Sequence, residues 1–110
     1  MVPRSARVAR NERWLREANE RVERASADFV DRGFAREREE VEFFCECGRH
    51  ECPATIRMTV AEYEEARSGP ARYVTVPGHE TPAIEHVVET HKRYQVVEKS
   101  PKAERIAEEA

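Results

Sequence analysis

Three cysteines, Cys45, Cys47 and Cys52, fall within eight residues of a 110-residue chain that has no others. An odd set spaced this tightly cannot pair off internally as disulfides, whereas three thiolates and one imidazole are what tetrahedral Zn²⁺ accepts. The C-x-C-x4-C spacing, with Gly48 directly after the second thiol, reads as a zinc knuckle in which glycine lets the backbone fold under the metal. A four-thiolate iron–sulfur set would be incomplete, which favours zinc. The fourth ligand is expected from a second element that closes the loop. Val76-Pro77-Gly78-His79 supplies it, a histidine on a turn after a strand-like run. The predicted metal set is therefore Cys45, Cys47, Cys52 and His79. His50 is the alternative within the loop, which would have to curl tightly to offer it, and His86, His91 or a bound water are further alternatives.

A metal staple suits the rest of the composition. Charged residues make up 37% of the chain and aromatics 7%, with a mean hydropathy of −0.83, so the core is thin for its length. The net charge of −3 gives no overall pull toward nucleic acid or anionic lipid. No apolar run resembles a signal-peptide core or a membrane span. Free thiols with no targeting segment predict a cytoplasmic protein.

Residues 5–32 read as one long helix. Val8, Leu15, Val22 and Phe29 recur every seven residues with Asn11, Ala18 and Ala25 between them, a narrow seam of the a/d kind. The seam is expected to pack on the chain's own sheet, with self-association or docking to another protein as the alternatives. Glu12 to Arg16, Glu17 to Arg21 and Glu20 to Arg24 are spaced for i, i+4 ion pairs. Arg4, Arg7, Arg10, Arg13 and Arg16 do not make a basic stripe, because steps of three turn by about 300° and wind around the helix.

Gly33 ends this helix, and a charged connector leads to an alternating strand over 41–46 that enters the knuckle. A second strand is predicted over 54–58, then a capping box at Thr59 and Glu62 opening a short helix through 67. A third strand covers 72–76. Thr81-Pro82 is expected to open a second short helix with Ile84, Val87, Val88 and His91 on one face. A fourth strand covers 94–99, and a charged tail that is helical or frayed follows. The fold class is α+β: a long N-terminal helix with its connector (1–40), a zinc-stapled domain (41–99) with a mixed sheet of three or four strands and two short helices, and a tail (100–110).

The loop carrying Cys45, Cys47, Gly48 and Cys52, with Ile56 after it, resembles the post-SET zinc loop of lysine methyltransferases. That resemblance implies zinc ligation and no methyl transfer, since nothing else in the chain is similar to a SET domain. Over most of its length the chain also resembles a group of small bacterial zinc-loop proteins with an F-x-C-x-C-G loop, an L/M-T-x-x-E-Y-E segment and a P-G-H-E turn, present here as 43–48, 58–64 and 77–80. It implies a shared fold and metal site and carries no activity with it.

These features predict a small, non-catalytic zinc-binding module that contacts a protein partner, or a second copy of itself, through the N-terminal helix. A nucleic-acid-associated regulator and a thiol-based redox or metal sensor are the alternatives. Hydrolysis at an open zinc would need a general base from Glu46, Glu51 or Glu80, which are expected to be solvated loop carboxylates. No nucleotide-binding glycine loop, serine nucleophile elbow or zincin histidine pair is present. Trp14, Tyr63 and Tyr73 are read as packing residues.

Overall fold

Alanine, arginine and glutamate dominate a run free of glycine and proline from residue 4 to 32, and in the computed structural model this run is helix α1, Arg4–Asp31. The structure describes residues 4–33, 36, 38–49 and 52–108. Gly33, at φ 79°, stops α1 with a backbone conformation that side chains resist. The helix is about 42 Å long, close to the 48 Å longest dimension of the molecule.

Strands β1 (Glu40–Phe44) and β2 (Thr55–Thr59) form an antiparallel pair that places Phe43 opposite Ile56 and Val41 opposite Met58. The capping box forms as predicted: Thr59 Oγ1 accepts from the Glu62 amide and the Glu62 carboxylate accepts from the Thr59 amide. It opens α2, Val60–Ala66, which buries Tyr63 and Ala66. Tyr63 stacks on Phe43 with ring centroids 4.4 Å apart. A second sheet, ordered β3-β5-β4, contains β3 (Arg72–Thr75), β5 (Gln95–Lys99) and β4 (Glu85–Thr90), all antiparallel. Buried Phe43, Ile56, Met58, Tyr63, Val74 and Val96 join the two sheets into one core.

The α+β class and the long N-terminal helix stand as expected; the mixed sheet does not. The strands divide into sheets of two and three, and the additional strand is the segment expected to be a helix over 81–91. Thr81-Pro82 does start a turn, since the Thr81 carbonyl accepts from the amides of Ile84 and Glu85. The chain then extends as β4, with a bulge between Val87 and Glu89. Short apolar runs fit helical and strand spacing equally, and here β-branched Val87, Val88 and Thr90 beside a free edge of β5 decide for the strand. The tail is ordered as α3, Pro101–Glu108, capped by Ser100 and packed on α1 through Ala103.

The inward face of α1 also differs from expectation. Glu12, Arg16, Asn19 and Glu23 are buried, whereas Leu15, Ala18 and Val22 of the apolar seam are half-buried and Ala25 is exposed. The charges are used across the fold. Glu12 lies 3.3 Å from the buried Lys99 amine, Glu20 and Glu23 meet Arg67 at 3.1 and 2.8 Å, and Arg13 meets Glu104 at 3.3 Å. Two i, i+4 pairs on this helix run basic residue first, Arg13 to Glu17 and Arg16 to Glu20, and Asp28 to Arg32 runs acidic first, in place of the predicted Glu12–Arg16, Glu17–Arg21 and Glu20–Arg24 pairs. Trp14 is not a packing residue: it is 65% exposed. Among the described residues no helix is long and apolar enough to cross a membrane.

Candidate metal centre

Cys45 follows the last residue of β1, and its amide extends the ladder by donating to the Ala54 carbonyl at 3.1 Å. Its side chain continues the inward phase of Phe43 and is 2% exposed. The chain then turns through Cys47 and Gly48, the latter at φ 66°. A side chain at Gly48 has no room, since a Cβ there would lie 2.4 Å from the Val8 carbonyl oxygen. Cys52 returns the chain toward β2.

The opposing element is the turn after β3. Gly78, at φ 89°, and the bond from the His79 amide to the Val76 carbonyl swing His79 toward the knuckle. Its Nδ1 lies 3.6 Å from Cys45 Sγ and 3.7 Å from Cys52 Sγ. The ligand atoms of Cys45, Cys47, Cys52 and His79 all lie within 4.8 Å of one another, close enough to hold one metal ion. Arg49 braces the two loops by donating to the carbonyls of Glu80 and Gly78.

The electrostatics favour one thiolate, at Cys47. Cys47 is lowered to about 4, chiefly by a hydrogen bond from the Cys45 thiol, with the Arg49 amide and His79 helping against burial. Cys45 is pushed up, because it keeps the proton it shares with Cys47 and because it is buried, while the Val76 amide donates to its sulfur at 3.2 Å. A metal cation in place of these shared protons relieves the crowding of three sulfurs.

Glu46, between the first two thiols, is not a solvated loop carboxylate: it is 1% exposed. Its Oε2 accepts from Asn19 Nδ2 at 2.8 Å and the Tyr63 hydroxyl at 2.7 Å, and its Oε1 accepts from the Val74 amide at 2.9 Å. Burial pushes its carboxyl up, and these donors oppose the shift. The side chain is thus a buried bracket joining α1, α2, β3 and the knuckle, and it offers no oxygen to a metal-bound water. Glu80 is engaged by Gln95 Nε2 at 2.9 Å, which holds its carboxyl below the usual range. His86 is exposed on β4, and His91 is exposed beyond it, stacked on Tyr94 and 2.9 Å from Glu89; neither belongs to the cluster. The alternatives His50 and Glu51 lie outside the described residues.

Sequence reasoning passed over Asn19 and read Glu46 as a solvated carboxylate; both position the knuckle without touching the ligand atoms. A signal for Asn19 existed. Glu12, Arg16, Asn19 and Glu23 share a helical face, and a polar face at core spacing on a helix that cannot be solvent-exposed all round calls for buried partners. No protein-family model, curated protein or solved structure matches this chain.

Proposed function

We propose that the chain is a small zinc-binding, non-catalytic protein-interaction module, in which zinc staples the fold and α1 is the contact surface. The observation that carries this reading is the convergence of four protein ligand atoms within 4.8 Å. With bonds of about 2.3 Å to sulfur and about 2.0 Å to nitrogen, a tetrahedral zinc site has S···N edges of about 3.5 Å; the Nδ1 to sulfur distances, 3.6 and 3.7 Å, lie close to that. Four protein ligands close the coordination sphere, leaving no position for substrate, and Glu46 and Glu80 are engaged elsewhere. The likeness of the 45–52 loop to post-SET zinc loops supports the same metal. Reduced thiols fit the cytoplasm.

The partner that fits α1 is a second copy. In an antiparallel pair, Leu15 and Val22 of one chain meet Ala25 and Ala18 of the other, so each layer sets a large side chain against a small one. The polar face of the helix is consumed inside the chain, and the exposed Trp14 borders the seam. Cobalt substitution tests the metal reading: thiolate-to-cobalt charge-transfer bands with tetrahedral ligand-field bands are expected, and octahedral cobalt without charge transfer would refute it.

A further inference from the structure

The knuckle presents two faces through alternate residues. Cys45 and Cys47 turn to the metal cluster, and the residues interleaved with them, Glu46 and Gly48, turn to α1. The α1 backbone rests on Gly48 so closely that a Cβ there would be 2.4 Å from Val8 O and 3.0 Å from the Glu12 amide nitrogen. Asn11 Nδ2 donates to the Gly48 carbonyl at 3.1 Å. Two turns further on, Asn19 binds Glu46 and both backbone groups of Phe44.

Away from the knuckle, the α1 interface holds little apolar area and one buried cation. Its buried apolar residues are the small Ala6, Val8 and Ala9, with Val22 half-buried against the core, and together they contribute little apolar area. Its other cross-links are one buried lysine, Lys99, which donates to the Ala9 carbonyl at 2.9 Å and lies 3.3 Å from Glu12, partly exposed ion pairs, Arg13 with Glu104 and Arg67 with Glu20 and Glu23, and Arg16 on the Gly69 and Pro70 carbonyls. The sheet β3-β5-β4 is different, a hydrogen-bonded ladder with Tyr73, Val74, Val96 and Val97 fully buried.

We propose, resting on the zinc reading above, that metal occupancy controls the docking of α1: a filled centre fixes the knuckle at 45–48 in the shape that seats the helix, and metal loss releases α1 while β3, β5 and β4 stay paired. Without the ion, the thiols and His79 are tied to one another by hydrogen bonds in place of metal bonds. Release would turn the polar inner face of α1 to solvent and free its apolar seam from the orientation that the docked helix imposes. The metal state therefore selects which surface of α1 the chain displays. Because binding and docking are coupled, the linkage is reciprocal, and a helix-side substitution that loosens α1 must weaken zinc binding.

Hydrogen exchange of the full chain, zinc-loaded and after chelation, tests this together with zinc affinity by competition. On chelation, α1 amides from residue 8 to 23 are expected to exchange at least about tenfold faster while those of Val74, Val96 and Val97 keep their protection. Asn19→Ala is expected to lower zinc affinity and to speed α1 exchange in the zinc-loaded state, with the ligand set intact. Gly48→Ala is expected to loosen α1 as well, from the loop side. Unchanged α1 protection on chelation, or uniform loss across α1 and the sheet, would overturn the proposal, as would wild-type zinc affinity in Asn19→Ala with α1 loosened. A chain that takes no zinc sinks the function reading along with this one, whereas zinc binding without any α1 response sinks this one alone.

Discussion

Asn19 treats Phe44 as a strand would: its Nδ2 donates to the Phe44 carbonyl at 2.9 Å while its Oδ1 accepts from the Phe44 amide at 2.8 Å. One helical side chain thereby satisfies the edge of β1 next to the first thiol, and its Nδ2 also reaches Glu46. Asn19→Ala leaves the Phe44 backbone and a buried carboxylate short of partners. A loss of about 2–4 kcal/mol is expected, since an orphaned buried polar group costs about 1–3 kcal/mol and more when charged. Urea unfolding of the zinc-loaded protein measures it; a loss under about 1 kcal/mol would mean that water replaces Asn19 at no cost.

Gly48→Ala should be costly for two separable reasons. The left-handed backbone costs about 1–2 kcal/mol for an alanine, and the added methyl collides with α1 at the Val8 carbonyl, adding about 1–3 kcal/mol of overpacking. Gly78, also at positive φ, has nothing within 4 Å of its would-be Cβ. Gly78→Ala should therefore show the backbone cost alone, and the difference between the two variants in unfolding free energy isolates the contact with the helix.

Much of this architecture was legible in the sequence. The three thiols and the Pro77-Gly78-His79 turn identified the cluster because ligand chemistry is local and sparse, and the capping box at Thr59 and Glu62 marked α2 within a residue. What was lost depended on distant partners. Ile84, Val87, Val88 and His91 fit a helix until β5 offers an edge. Glu12, Arg16, Asn19 and Glu23 look solvated until Lys99, Arg67, Phe44 and Glu46 are brought over them. Hydrophobic periodicity assumes that the buried face is the apolar one, and α1 departs from that rule from Glu12 to Glu23 because its neighbours there supply charges and backbone groups to pair with.

Glu12 gives the fold a pH signature. It is pushed up to about 11, first by burial and then by Glu85 from β4, against Lys99 from β5. Glu12 Oε2 and Glu85 Oε1 find no N–H or O–H donor, and the Lys99 amine stands on the Oε1 side of Glu12; a proton held on Glu12 satisfies this pair of facing oxygens. Glu104 from α3 and the Tyr73 ring from β3 face the same lysine. The folded chain thus holds a proton that the unfolded chain releases above its ordinary value of 4.5, so this contribution to stability is complete below that pH and falls as pH rises toward 11. Lys99, depressed by burial, acts in the opposite sense below its ordinary 10.5. Glu12→Gln keeps the shape and removes the titration. Its unfolding midpoint relative to the parent, at matched zinc occupancy, should improve from pH 5 to pH 8; a constant difference would show that Glu12 does not hold the proton.

Self-association through the seam predicts a concentration-dependent mass that Trp14→Lys and Ala25→Glu each reduce. Both positions are exposed, so chain stability should stay within about 0.5 kcal/mol of the parent. Sedimentation equilibrium reads the first quantity and urea unfolding the second. A monomer at all concentrations in the zinc-loaded parent would refute a second copy as the partner and leave α1 to a different protein.

Zinc per chain in protein purified without added metal, with affinity by competition for the parent and His79→Ala, tests the central claim most directly. One zinc per chain, bound markedly more weakly in His79→Ala, is the predicted result. Either no zinc in the parent, or a full complement held equally tightly by His79→Ala, would contradict a closed site built from Cys45, Cys47, Cys52 and His79.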